Sequence, residues 1–168
     1  MLVKTTDEAE LAYQEAERLA GADREKSAEA YKKAISSRPN FAEAFVGLAR
    51  VLSDSGDLEE AEKAIVSARK LRPIYAEASA VLGRIYKENG EEVKAVAAFK
   101  RAITEGKGFQ PEAYAGLGLL YKEKAEGFGG AGDFENENAN YTESARNLKI
   151  AVKQLSGAPD AIDRKSVV

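Results

Sequence analysis

The 168-residue chain contains no cysteine and no histidine. Disulfides are thereby excluded, and with them zinc sites of the usual kinds, Ser-His-Asp triads and cysteine nucleophiles. Acid–base work would fall to Asp, Glu, Lys or Tyr, and the carboxylates lie almost entirely on helix faces read as solvated. No catalytic residue, metal site or cofactor is expected. Charge of one sign is lacking too: 25 basic against 28 acidic residues leave a net −3, with no basic footprint for nucleic acid. No apolar run approaches the roughly 18 residues of a membrane span. Met1 to Asp7 lacks the apolar core of a secretory signal. The compartment stays unknown on these grounds, with a soluble, cytoplasmic setting slightly favoured.

What the chain does have is a period. Phe45, Leu48, Ala49, Leu52, Gly56, Ala61 and Ala68 are answered 34 residues later by Ser79, Leu82, Gly83, Tyr86, Gly90, Ala95 and Ala102. Tyr114, Leu117, Gly118 and Tyr121 open a further copy at a lag of 35. A fixed period in this range signals stacked supersecondary units. Phe45, Leu48, Ala49 and Leu52 fall at i, i+3, i+4 and i+7, one face of a helix. Gly56 and Gly90 stand where a helix stops and the chain turns back, and Pro39, Pro73 and Pro111 punctuate the other turns. Sustained period-2 alternation is missing, so strands are not expected. Glu10, Glu43, Glu77 and Glu112 recur in the first turn of each first helix, where an acid suits the helix dipole.

These residues resemble the tetratricopeptide repeat (TPR), a helix-turn-helix unit of about 34 residues. Phe45-Val46-Gly47-Leu48-Ala49 and Tyr114-Ala115-Gly116-Leu117-Gly118 match its first helix. Ala61, Ile65 and Ala68, then Ala95, Phe99 and Ala102, match its second. The resemblance implies an all-α, right-handed α-solenoid of about four repeats, near 8–41, 42–75, 76–110 and 111–157, within one domain over 1–168. Leu48, Leu82, Tyr86, Leu117 and Tyr121 are expected in its core. Residues 158–168 read as a short C-terminal helix, either a cap or the opening of another repeat, because Pro159-Asp160-Ala161-Ile162 echoes Pro111-Glu112-Ala113-Tyr114.

The same resemblance implies a non-catalytic scaffold that binds a protein or peptide in a concave groove lined by the first helices. Carried onto this sequence, the groove stripe is Tyr13, Glu17 and Ala20, then Val46, Arg50 and Ser53, then Ala80, Arg84 and Lys87, then Ala115, Leu119 and Lys122. Arg50 and Arg84 are suited to carboxylates through bidentate hydrogen bonds, or else pair with Glu43, Glu77, Asp54 or Glu88. The family's carboxylate clamp needs Lys and Asn, then Asn, then Lys and Arg, on three successive first helices. This sequence supplies Val46 and Arg50, then Val81, then Glu112 and Gly116, so capture of chaperone tails by that device is disfavoured. The alternative is a self-assembling structural repeat, a homo-oligomer formed through the groove or an uncapped C-terminal end.

Between Tyr121 and Ala151 the fourth repeat holds some 14 residues more than the third holds between Tyr86 and Ala102. The surplus, 127–140, is glycine-rich and then polar, and reads as a mobile loop dispensable for folding. Gly127-Phe128-Gly129-Gly130-Ala131-Gly132 satisfies G-x-G-x-x-G, but no strand precedes it, so a dinucleotide site is not expected. Asp133, Glu135, Asn136, Glu137 and Asn138 lack the order and closing glutamate of a calcium loop.

Overall fold

The computed structural model describes residues 7–157. Among them stand eight α-helices and no strand: α1 (Glu8–Leu19), α2 (Arg24–Ser37), α3 (Ala42–Asp54), α4 (Leu58–Leu71), α5 (Ala76–Glu88), α6 (Glu92–Glu105), α7 (Pro111–Gly130) and α8 (Phe134–Leu155). Each odd helix packs against the even helix that follows it. The chain divides into two compact units, Met1–Ile74 with α1 to α4 and Tyr75–Val168 with α5 to α8. The short helix expected near Pro159 lies outside the described residues.

In the first unit, Asp7 caps α1 by accepting from the Ala9 N–H at 2.9 Å, and Asp23 caps α2 by accepting from Lys26 at 3.1 Å. Such side chains satisfy amide groups that a helix start leaves unbonded. Alanines build the interior: Ala9, Ala16, Ala34, Ala61 and Ala68 are all at 0% exposure, alongside Ile65. Small side chains let helices approach closely, and the Ser27 hydroxyl donates to the Ala16 carbonyl at 2.8 Å across the α1–α2 crossing. The repeat's end is tied to its start. Arg38, just past α2, pairs with Asp7 and reaches Glu10 at 3.8 Å, and Arg72 past α4 pairs with Glu43.

The second unit repeats the plan. Gly90 holds φ +75°, the left-handed conformation glycine adopts without strain, and turns the chain from α5 into α6. Ala80, Ala95, Phe99, Ala102, Ala113, Leu117 and Leu120 form its buried cluster. Leu48 and Leu117 are buried as expected, but Leu82, Tyr86 and Tyr121 are only half-buried. α5 presents Ser79, Ala80 and Gly83 inward. That close approach centres the buried stripe on them and on Val81 and Ile85, leaving Leu82 at its edge. Leu82→Ala should therefore cost less than the roughly 2–5 kcal/mol of a fully buried leucine.

The surplus at 127–140 is not a loop. It lengthens two helices: α7 has 20 residues and α8 has 22, against 14 in α6. Only the stretch from Ala131 to Asp133 turns. Asp133 caps α8, accepting from the Asn136 N–H at 3.2 Å, while its own N–H donates to the Phe128 carbonyl at 2.9 Å. Gly129 leaves the space that the Glu137 side chain crosses, and Ala125 is fully buried. Glycine weakens a helix by only about 1 kcal/mol per residue, and α8 packed alongside outweighs that. At the base, Ser144 donates to the Gly118 carbonyl at 2.7 Å, as Ser27 does to Ala16. The buried Gln154 accepts from the Gln110 N–H at 3.0 Å and donates to the Gly108 carbonyl at 2.7 Å.

Candidate functional site

A concavity of about 280 Å³ lies within the second unit among α5, α6 and α7. Arg84, Lys87 and Glu88 come from α5, Phe99 from α6, and Glu112, Ala115, Gly116 and Leu119 from α7. Four of these, Arg84, Lys87, Ala115 and Leu119, are residues the repeat register assigns to the groove. The side chains recur one helical turn apart (Arg84 with Lys87 and Glu88, Ala115 with Leu119), so each helix offers one continuous strip.

Phe99 makes the floor. Its ring is 1% exposed and fits between two helices that carry no side chain where it lies. A Cβ at Gly116 would stand 2.3 Å from its Cζ, and one at Gly83 2.5 Å from its Cδ1. Leu119 is 49% exposed at the lip. The rim is charge-balanced. Arg84 Nε lies 4.0 Å from Glu88 Oε1, Lys87 Nζ lies 2.6 Å from Glu123 Oε1 on α7, and Lys122 pairs with Glu126. The centre is therefore apolar, and the cations around it already stand beside carboxylates.

The other expected groove residues are distributed differently. Ala80 is wholly buried in the α5–α6 core, and Val46 is buried at 5% exposure; neither is an accessible floor, because both sit on the side of their helices that packs inward. Lys122 projects beside Glu126 and does not line the concavity. In the first unit Tyr13 is half-buried, its ring centre 5.8 Å from Tyr31 and 4.9 Å from Phe41, over which Arg38 lies at 4.3 Å. The Tyr31 hydroxyl donates to Glu17 Oε1 at 2.5 Å. Burial first, then the Glu17 carboxylate, push that hydroxyl well above the usual tyrosine range, with the Arg50 charge opposing. The Tyr13 hydroxyl is raised by burial and then by the Glu17 charge. Arg50 is half-buried, Ser53 is buried and Ala20 caps α1.

Phe99, Gly116, Glu88 and Glu112 are the lining residues that the groove stripe omitted. A sequence signal for the first two exists. Tyr31 lies 68 residues before Phe99 and meets Gly47 as Phe99 meets Gly116, with a Cβ at Gly47 standing 2.3 Å from the Tyr31 ring. An aromatic on a second helix opposite a glycine on the next first helix thus recurs in both units. No group of three or more metal-ligating side chains occurs among the described residues, and no described helix is long and apolar enough to cross a membrane.

Paired helices with an alanine-rich seam, repeated along the chain, define a helical-repeat fold. Family profiles described as "Tetratricopeptide repeat" match residues 7–73 and 46–111; the chain belongs to the tetratricopeptide-repeat family. The crystal structure of MamA is similar at a TM-score of 0.64 and 22% identity, covering 89% of this chain and 83% of that one. MamA 41-end from Desulfovibrio magneticus RS-1 is similar at 0.63 and 17% identity, covering 92% and 79%. The Sgt2 TPR domain from Aspergillus fumigatus is similar at 0.67 and 24% identity, covering 75% and 85%. At these identities the likeness shows the fold, an all-α TPR solenoid. A comparison with curated proteins finds no match.

Proposed function

We propose that this protein is a non-catalytic interaction scaffold that holds a peptide or protein segment in the concavity of its second unit. Membership of the TPR family supports the scaffold role. The observation that carries the site is the meeting of Arg84, Lys87, Ala115 and Leu119 around the Phe99 floor. The segment seats an apolar side chain against Leu119 and Ala115, above the buried Phe99 ring, and its backbone meets the polar rim. Since Arg84 and Lys87 lie near Glu88 and Glu123, recognition rests on apolar fit more than on an acidic ligand.

Selection of binders from a displayed random-peptide library tests this. Selected peptides should share an apolar anchor, and Leu119→Arg should weaken them about tenfold or more, since a charge would displace apolar contact at the lip. Arg84→Ala with Lys87→Ala should weaken them less. Peptides indifferent to Leu119→Arg would place recognition elsewhere.

A further inference from the structure

The last described helix, α8, carries most of its large apolar residues away from its own unit. α7 is the one described helix that α8 packs against, and the residues α8 buries there are Ser144, Asn147, Ala151 and Gln154, small or polar. Leu148, at the edge of that stripe, covers Gly118 of α7, and most of the other large apolar side chains lie elsewhere. Phe134, Tyr141, Val152 and Leu155 are 66%, 39%, 64% and 73% exposed. With Asn138, Ala145 and the half-buried Leu148 they follow each other at alternating steps of four and three along the whole helix. That spacing is a heptad seam, six apolar positions and one asparagine, of the kind that packs against another helix.

We propose that this seam is a self-association surface, on which α8 of a second copy packs antiparallel. Charge argues for a second copy in that orientation. Glu135 stands by the seam's first turn, whereas Lys149 and Lys153 lie near its end, with Glu143 and Arg146 paired with each other between them. Antiparallel pairing sets each acidic end beside the other copy's basic end, while parallel pairing would set like charges together. The same arrangement is self-complementary about a two-fold axis midway between Ser144 and Ala145, with Phe134 facing Leu155 and Tyr141 facing the exposed edge of Leu148 of the second copy, as an isologous interface requires. The 22 residues of α8 give a strip about 33 Å long and about 10 Å wide. That is small beside the roughly 800 Å² per partner of a standard interface, so the dimer should form and dissociate with concentration.

Light scattering on the full chain over a wide concentration range should show a monomer–dimer equilibrium. Tyr141→Glu and Val152→Glu should each weaken it by about tenfold or more, with helical circular dichroism unchanged because both positions are solvent-facing. The chain has no cysteine of its own, so single cysteines report orientation. Ala145→Cys copies should form a disulfide dimer on oxidation. Phe134→Cys copies should not, because antiparallel packing holds them far beyond the roughly 7 Å Cα separation a disulfide allows. A chain that stays monomeric at every concentration would overturn the proposal. So would dimers indifferent to both glutamate variants, or cross-linking at residue 134 but not at 145.

Discussion

The two units use one backbone plan to opposite ends at the place where an aromatic on a second helix meets a glycine on the next first helix. In the first unit that aromatic is Tyr31. Its hydroxyl is engaged by Glu17, and the Tyr13 ring packs 5.8 Å away. In the second unit it is Phe99, with no hydroxyl. Arg84 stands in the register of Glu17, Ala80 in that of Tyr13, and Leu119 in that of Arg50. The first unit fills the space with its own side chains; the second leaves a concavity of about 280 Å³ with an apolar floor. A repeat thus becomes a candidate binding site through a few side-chain exchanges at fixed backbone positions, without any change of fold.

Removing the floor should have the largest effect. Phe99→Ala is expected to cost about 3–5 kcal/mol in chemical denaturation, as for buried aromatics generally; a loss under about 1 kcal/mol would mean that the ring is not core. Crowding the ring comes next. Gly116→Ala puts a methyl group 2.3 Å from the Phe99 ring and should destabilise by about 1–3 kcal/mol, despite alanine's better helix propensity. A stabilised variant would show that the ring yields freely.

Exchanging the chemistry of the two units sharpens the contrast further. Tyr31→Phe makes the first unit resemble the second and should cost about 1 kcal/mol, one hydrogen bond whose acceptor water can then solvate. It should also change the response to alkali. The native Tyr31 hydroxyl ionises above its unfolded value, so its contribution is full below about pH 10. It is lost as pH rises beyond that value, because the unfolded chain then gives up the proton more readily. Melting temperatures across that range should fall less steeply in Tyr31→Phe.

The smallest effect is expected at Asp7, whose carboxyl the Arg38 side chain and then the Ala9 amide hold below the usual aspartate range. Its contribution is present above about pH 4 and is lost as pH falls through the lowered native value. Asp7→Asn should flatten the acid side of the first unit's stability profile by a small amount. An unchanged profile would show the clasp to be solvated away.

Periodicity alone made the helices, their pairing and their turns legible. Gly56, Gly90, Pro73 and Pro111 mark chain reversals because only certain backbone conformations suit them, and this is a local property. The buried alanines Ala61, Ala68, Ala95 and Ala102 were likewise visible from spacing. The surplus at 127–140 was misread for a physical reason: glycine and asparagine disfavour helix locally, but α7 and α8 support each other along their length. Local propensity was overruled by the packing of one helix on the other, as where the Glu137 side chain crosses Gly129.

The sequence by itself therefore determined the repeat, the all-helical class and the lack of histidine and cysteine chemistry, and it nominated a stripe of candidate groove residues. Only tertiary structure decided which of those residues share a site. Ala80 and, in the first unit, Val46 went inward, while Arg84, Lys87, Ala115 and Leu119 came together, because close packing of an aromatic ring at Gly47 on α3, at Gly83 on α5 and at Gly116 on α7 sets the rotation of each face. Tertiary packing likewise left Phe134, Tyr141, Val152 and Leu155 of α8 exposed, since the face α8 turns to α7 is the stripe of Ser144, Asn147, Ala151 and Gln154, with Leu148 over Gly118.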